Sequence, residues 1–337
     1  MPFDLADLRL PILGAPMAGG PSTPALAAAV SDAGGLGNLP AGYLTAVRVA
    51  EDIAAVRAST SGPVGVNLFV PQPCIATEEQ LENYRGMLMP LAHRLGVQPG
   101  TPRPDDDDWQ AKLEVVEDLA PELVSFTFGC PESAVLERLR RRGVLTVVTV
   151  SSREEAEIAV ATGAGALVVQ GPSAGGHRSV FAPDRRPPDI PLEILLAQTV
   201  DLGVPVVAAG GLGDRAAVRR ALDAGAVAAQ VGTALLLCDE AGTNAVHRRA
   251  LRDGQFTGTV VTRAFSGRYA RSLANDFTRD YGDAAPPCYP QVNQITAPIR
   301  AAALAASDPH AVTLWAGTAW RATATGTAAE ILAALTG

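Results

Sequence analysis

The chain has 337 residues, of which 47% are hydrophobic, 18% charged and only 5% aromatic. This composition excludes a disordered chain, and the core must come from Ala, Val, Leu and Ile because aromatic residues are few. The formal net charge of −8 provides no positive field for a phosphate backbone, so the sequence predicts no nucleic-acid partner.

The sequence also shows no sign of a membrane segment. No stretch reaches 18 consecutive apolar residues, and Asp4, Asp7 and Arg9 stand where a signal peptide requires an apolar run. We therefore expect a cytoplasmic protein without a membrane partner.

The four cysteines are far apart in the sequence and include no CxxC pair: Cys74, Cys130, Cys238 and Cys288. This spacing suggests neither a metal site nor a disulfide framework. We expect reduced thiols, most of them buried.

Short apolar runs alternate with stretches of helical period, as is typical of βα units around a parallel sheet. Eight runs are predicted to be strands: Pro11–Met17, Gly35–Pro40, Pro63–Val70, Leu123–Gly129, Val144–Val150, Ala166–Gly171, Pro205–Gly211 and Ala226–Thr233. The clearest helices are predicted at Thr23–Ala33, Pro131–Arg142, Ser152–Thr162 and Asp214–Ala224, with Ser152 and Glu155 as a capping box. Eight such units predict an α/β fold, a (β/α)8 TIM barrel, and a doubly wound open sheet is the alternative.

Two long stretches interrupt the alternation, at residues 73–119 and 246–310. We predict that they form a smaller, mostly helical cap on the substrate side, which includes a helix at Glu78–Leu95, over a barrel made of residues 1–72, 120–245 and 311–337. Surface decoration or a homodimer contact is the alternative role. Within the first stretch, the acidic run Asp105–Asp108 is expected to be a solvated turn rather than a metal site.

Glycine-rich turns follow the seventh and eighth predicted strands. Gly210, Gly211 and Gly213 precede one predicted helix, and Gly232 and Thr233 follow the next strand. Glycine allows an anion to approach the backbone, and free N–H groups at such turns bind phosphate. Tight turns without a ligand are the alternative. The spacing does not favour a Rossmann site, because no acidic residue stands about 20 residues further on.

The segment after the sixth predicted strand carries the best candidate for proton transfer. His177 follows Gly175 and Gly176 at the rim where barrel enzymes have their active sites. The other histidines, His93, His247 and His310, have no such surroundings, so surface or packing roles are expected for them.

Two amides, Asn67 and Gln170, interrupt otherwise apolar strand ends. Buried amides require partners, and the edge of a flavin ring would satisfy them. Hydrogen bonding to neighbouring loops is the alternative.

Several ordered motifs together resemble the nitronate monooxygenases, formerly called 2-nitropropane dioxygenases. The motifs begin at Ala15, Ala33, Gly65, Ser125, Gln170, Ala208 and Gln230, and Ala264–Arg268 extends the resemblance. The resemblance implies an FMN-dependent barrel that oxidises nitronates, and possibly nitroalkanes, with O2 to a carbonyl compound and nitrite.

The resemblance also implies residue roles. His177 would be the catalytic base, and Met17, Gly176 and His177 would contact the substrate. The residues that would hold FMN are Ala15, Pro16, Met17, Asn67, Gln170, Gly175, Gly210, Gly211, Gln230, Val231, Gly232 and Thr233.

Two alternatives to this function stay open. NAD(P)H-dependent flavin enoyl-thioester (enoyl-ACP) reductases share several of the motifs, although Phe126–Gly129, Gln170 and Arg178 favour the monooxygenases. The second alternative is a non-catalytic flavin-binding protein, because Ala316–Ala319 lacks the glutamine that the family usually carries there. Pro172 and Ser173 also replace a usual acidic residue, which leaves the substrate preference open.

Overall fold

The computed structural model describes residues 3–337. It contains eleven strands: β1 (Ile12–Gly14), β2 (Gly37–Pro40), β3 (Val64–Phe69), β4 (Leu123–Thr127), β5 (Leu145–Val150), β6 (Ala166–Gln170), β7 (Gly176–His177), β8 (Val206–Ala209), β9 (Ala228–Val231), β10 (Thr259–Thr262) and β11 (Ala270–Leu273).

Twelve α-helices accompany these strands: α1 (Pro24–Asp32), α2 (Ala46–Ser59), α3 (Glu78–Arg94), α4 (Trp109–Leu119), α5 (Ser133–Arg141), α6 (Arg153–Thr162), α7 (Leu192–Ala197), α8 (Arg215–Asp223), α9 (Ala245–Arg252), α10 (Asp276–Tyr281), α11 (Gln291–Ala305) and α12 (Ala328–Thr336). Short 3-10 turns lie at Leu5–Asp7, Thr233–Leu235 and Trp320–Ala322.

Eight parallel strands form one sheet in the order β1-β9-β8-β6-β5-β4-β3-β2. The sheet closes on itself, because Gly14 donates its N–H to Leu36 O at 2.9 Å and Leu36 donates to Ile12 O at 3.0 Å. The predicted (β/α)8 barrel is therefore confirmed, and the open-sheet alternative is wrong.

All eight predicted runs contain a barrel strand, and the predicted helices are present within a few residues of their expected ends. One local detail was wrong. Ser152 caps α6 through Glu155 N, but the Glu155 carboxylate turns to the N–H groups of Ser151 and Phe181 rather than closing a capping box. The buried carboxylate thus ties the loop after β5 to the segment beyond His177.

Buried side chains form three clusters. One fills the barrel interior around Leu13, Val147 and Val168, and a larger one lies between the strands and the surrounding helices. The third lies over the carboxyl ends of the strands and joins α3, α9 and α11 through residues such as Leu88, Ala250 and Ile295.

The region over the barrel is not only helical. Strands β10 and β11 form an antiparallel pair, and β11 pairs in turn with β7, so that Ala270 lies opposite His177. Helix α4, by contrast, packs against α2 and α5 in the outer ring of the barrel. The division into barrel and cap at the boundaries given above stays a prediction.

The expectation of four reduced thiols was wrong. Cys74, in the loop after β3, forms a disulfide with Cys288, just before α11, whereas Cys130 and Cys238 are free. The paired residues are 214 positions apart, so no local spacing could have shown that the fold brings them together.

The acidic run is largely exposed, as expected of a solvated turn: Asp105, Asp106 and Asp108 are exposed, and only Asp107 is partly buried. Asp107 accepts the N–H of Tyr43 at 3.0 Å and forms an ion pair at 2.8 Å with Lys112, whose side chain is 1% exposed. The turn therefore fastens α4 to the loop after β2.

Within the part of the chain that is described, no helix has the length and apolar character needed to cross a membrane.

Candidate active site

A cavity of about 470 Å³ opens at the carboxyl ends of the barrel strands. All fourteen residues predicted for cofactor or substrate binding line it: Ala15, Pro16, Met17, Asn67, Gln170, Gly175, Gly176, His177, Gly210, Gly211, Gln230, Val231, Gly232 and Thr233. Residues from the carboxyl ends of five barrel strands, β1, β3, β6, β8 and β9, thus converge on one space, as expected for the active-site face of a barrel.

Backbone atoms form the cavity wall at the carboxyl ends of β8 and β9. Gly210 and Gly211 have φ values of +105° and +78°, which side chains disfavour, and within residues 3–337 the N–H groups of Gly210, Gly211 and Gly232 donate to no protein acceptor. Free, converging N–H groups suit a phosphate. Thr233 also lines this wall, and its Oγ1 accepts the N–H of Gly317 at 2.9 Å, which leaves its hydroxyl hydrogen available to donate.

The C-terminal segment that departs from the family pattern closes the same wall. Gly317 packs against Ser173, and a Cβ added at Gly175 would stand 2.4 Å from the Gly317 nitrogen. Gly317 and Ala319 line the cavity. The backbone around Thr318 therefore packs closely against the segment that precedes β7.

The two predicted amides are used differently. Asn67 is 3% exposed and donates its Nδ2 to Ser125 and Thr127, so its Oδ1 is left free at the cavity. Gln170 accepts the Ser179 N–H at 3.0 Å and donates to the His177 carbonyl at 2.9 Å. Gln170 mainly holds the segment of His177, as the loop-bonding alternative expected, with one amide hydrogen left.

His177 stands on β7 with its ring towards the cavity. Its Nε2 lies 2.8 Å from Ser266 Oγ, which also lies 3.3 Å from both the carbonyl and the N–H of Arg268. The ring nitrogen Nδ1 has no hydrogen-bond partner within the described residues. The Ser266 hydroxyl can therefore donate a hydrogen bond to Arg268 O and accept one from His177 Nε2–H. In that arrangement the lone pair of Nδ1 is free.

Aromatic rings and cations surround the imidazole. The rings of Phe128 and Trp315 lie 5.2 and 5.6 Å from it, centroid to centroid. Burial, with the positive charges of Arg268 and Arg300, lowers the pKa of His177 to about 3. The imidazole is therefore neutral at pH 7.

Several guanidinium groups lie near this ring without a counter-charge. Among residues 3–337, no carboxylate is within 4.0 Å of a nitrogen of Arg178, Arg268 or Arg300. Arg178 donates to Gln170 Oε1, and Arg268 stacks over the Phe128 ring at 4.3 Å. These contacts fix both groups, and burial lowers the pKa of each to about 10, so both remain cationic at pH 7.

Arg300 differs from the others because it lines the cavity itself. Its Nε donates to Thr296 Oγ1 and its Nη2 to Asn293 Oδ1 at 2.6 Å, whereas Nη1 has no acceptor in the described chain. Burial lowers the Arg300 pKa, partly offset by Tyr43 and Tyr289. A guanidinium group that is fixed through Nε and Nη2 and has a free Nη1 can bind an anion.

Several lining residues were not predicted from the sequence: Tyr43, Phe69, His247, Asn293, Arg300 and Trp315. His247 was assigned a surface or packing role, and it does pack in α9, 4% exposed, but its side chain also lines the cavity. The Ala264–Arg268 motif already contained a signal for Ser266 and Arg268. Phe69 ends β3, the strand that carries the Gly65 motif, whereas the remaining residues come from segments without a recognisable local pattern.

Comparisons with known proteins agree with this geometry. A family model for nitronate monooxygenases matches residues 4–337. A probable nitronate monooxygenase of Staphylococcus saprophyticus is 35% identical over 320 residues, which cover 93% of this chain and 90% of that protein.

Solved structures are similar over almost the whole chain. A nitroalkane oxidase from Streptomyces ansochromogenes superposes with a TM-score of 0.94 at 44% identity, and the match covers 98% of this chain and 96% of that one. FabK from Thermotoga maritima, at 24% identity and a TM-score of 0.77, shares the fold. The chain therefore belongs to the nitronate monooxygenase family and is a flavin-dependent oxidoreductase.

Proposed function

We propose that this enzyme holds FMN and oxidises alkyl nitronates with O2 to a carbonyl compound and nitrite. Neutral nitroalkanes would enter the same reaction after His177 removes the α-proton. The observation that carries the proposal is the pairing, in one cavity, of a neutral imidazole with a free Nδ1 and the free edge of Arg300.

The cavity wall at the carboxyl ends of β8 and β9 has the groups needed to bind FMN. The unpaired N–H groups of Gly210, Gly211 and Gly232 and the hydroxyl of Thr233 would hold one phosphate, and Asn67 Oδ1 with the remaining Gln170 hydrogen would meet the ring edge. Ala15–Met17, Gly175, Gln230 and Val231 would line the rest. FMN, when bound, accepts electrons from the substrate and delivers them to O2.

His177 acts on the proton of the carbon next to the nitro group. With Nε2–H directed to Ser266, the Nδ1 lone pair takes the proton, and the imidazolium that forms is stabilised by the negative nitronate beside it. The depressed pKa keeps the ring unprotonated before the substrate binds, which general-base action requires.

Arg300 acts on the negative charge of the nitronate oxygens. Because Nη1 is free and no carboxylate competes for the guanidinium, an anion that enters the cavity can accept a charge-assisted hydrogen bond. Met17 and Gly176 would form the remaining contacts with the substrate.

The test is oxygen consumption and nitrite release by the purified yellow protein mixed with propane 2-nitronate, with NADH and NADPH as anaerobic controls. We expect oxygen uptake matched by nitrite and no rapid bleaching of the flavin by either pyridine nucleotide. Bleaching by NAD(P)H without oxidation of the nitronate would contradict the proposal and favour a reductase.

A further inference from the structure

The cavity has a second polar end where α9 meets the loop after β1. His247 and Asn244 line the cavity there together with Thr313, next to the apolar side chains of Met17 and Leu236. We call this end, defined by these five residues, the His247 lobe. Its polar groups carry no net charge at pH 7, in contrast to the Arg300 end.

The lobe is joined to the reaction centre through a short chain of contacts. The Trp315 ring lies 5.6 Å from the His177 ring, and the Trp315 backbone lies beside the His247 imidazole. On the other side, Gly242 donates its N–H to Pro21 O at 3.0 Å, which holds the start of α9 against the loop that follows Met17.

His247 has an unused hydrogen-bonding atom. The side chain is 4% exposed, and its Nε2 has no partner within residues 3–337. Burial lowers the pKa of His247 to about 4, so the ring is neutral at pH 7. A neutral imidazole has one donor and one acceptor nitrogen, and a hydroxyl group can pair with either, so Nε2 can form a hydrogen bond with a hydroxyl in both tautomers.

The position of this atom is fixed by the fold. Asn244 caps α9 by accepting the His247 N–H at 2.9 Å. Arg248, the next residue, donates to the carbonyls of Leu237, Cys238 and Ala241, which fastens the helix to the turn after β9. A buried polar atom without a partner costs about 1 to 3 kcal/mol, which a ligand hydroxyl would remove.

We propose that the His247 lobe recognises the far end of the substrate, and that His247 Nε2 forms a hydrogen bond with an uncharged hydroxyl group on a nitro compound longer than a simple nitroalkane. This inference rests on the proposed function for the identity of the reacting group. An anionic end would find no cation in the lobe, and an apolar end would leave Nε2 unsatisfied.

The experiment measures binding, which requires no turnover. Anaerobic calorimetry on the holoenzyme compares ω-nitroalcohols, from 3-nitropropan-1-ol to 6-nitrohexan-1-ol, with the nitroalkanes in which a methyl group replaces the hydroxyl. At the chain length that reaches Nε2, we expect the alcohol to bind about tenfold more tightly than its methyl counterpart.

Three variants test whether the preference for the alcohol depends on His247 Nε2. His247→Phe removes the polar atom and should reduce the ratio to about one, whereas His247→Gln keeps a side-chain amide that can pair with a hydroxyl and should retain most of the preference. His93→Phe, which changes an exposed histidine on α3, is the matched control and should leave the ratio unchanged.

Equal binding of alcohol and alkane at every length would overturn the proposal, and so would a preference that survives in His247→Phe. Loss of flavin absorbance in His247→Phe with an unchanged ratio would assign His247 to the cofactor and also overturn it. Oxygen uptake with propane 2-nitronate reports separately on the proposed function, because that substrate has no hydroxyl group.

Discussion

On the barrel side of the cavity, the loops after β8 and β9 present backbone N–H groups, whereas on the cap side β7 and α11 present the side chains of His177 and Arg300. A backbone wall recognises a group that is always the same, such as a phosphate, and tolerates no added atoms. A side-chain wall can change its chemistry without changing the fold. We therefore propose that the barrel side binds the cofactor and that the cap side selects the substrate.

The largest effect is expected where the backbone wall has no room. Gly175→Ala would place a Cβ 2.4 Å from the Gly317 nitrogen, so Ser173–Gly175 and the C-terminal segment must separate. We expect the dissociation constant for FMN to rise by roughly 100-fold, measured by flavin fluorescence during dilution. Gly258→Ala, where an added Cβ meets nothing within 4 Å, is the control. Unchanged retention of flavin would show that this wall does not hold the cofactor.

A smaller, substrate-selective effect is expected on the side-chain wall. Arg300→Gln removes the charge that faces the cavity, and we expect KM for propane 2-nitronate to rise about 30-fold while FMN content stays the same. Arg321→Gln, at the surface, should have no effect. A change in flavin content with an unchanged KM would place Arg300 on the cofactor side and break the comparison.

The disulfide joins the two segments of the cap side, because Cys74 lies between β3 and α3 and Cys288 lies just before α11, and both pack in the cluster over the barrel. Cys74→Ser should lower the free energy of unfolding by about 2 kcal/mol in urea titrations, at the low end of the usual range for a lost cross-link. Cys130→Ser, which changes a free thiol, is the control. Titration of four thiols instead of two in the unreduced, denatured protein would refute the cross-link.

The smallest effect concerns pH. The pKa of His247 is about 4 in the folded protein and 6.5 when unperturbed, so the unfolded chain binds more protons between these values. The stability contributed by the neutral ring is present above pH 6.5 and is lost as the pH falls towards 4. Between pH 6 and 5, the free energy of unfolding should fall by about 1 kcal/mol more in the wild type than in His247→Gln. Parallel losses in both proteins would mean that His247 titrates normally.

The barrel side was predictable from the sequence because its information is local. A strand, its glycine turn and the following helix occupy one stretch of chain, as in Val206–Gly213, and parallel strands must bring their carboxyl ends together. Once the eight units were recognised, the shared position of Asn67, Gln170, Gly210 and Gly232 followed from the barrel geometry.

The cap side was only partly predictable because its contacts join distant segments. Ser266 and His177 form a hydrogen bond although they are 89 positions apart in the sequence. The β7–β11 pairing brings them together, and β7 is a two-residue strand with no apolar alternation that could be recognised. Arg300 and His247 lie on amphipathic helices, where sequence gives no means of separating a residue that faces a cavity from one that faces solvent or core.

The central claim is that a neutral His177, held by Ser266, removes a proton from the substrate on the cap side. The most direct measurement is the ratio of kcat/KM for neutral nitroethane to that for ethyl nitronate, in the wild type and in flavin-loaded His177→Asn. We predict that the variant loses about 100-fold on the nitroalkane and much less on the nitronate, which needs no deprotonation. An equal loss on both substrates would contradict the role of His177 as the base.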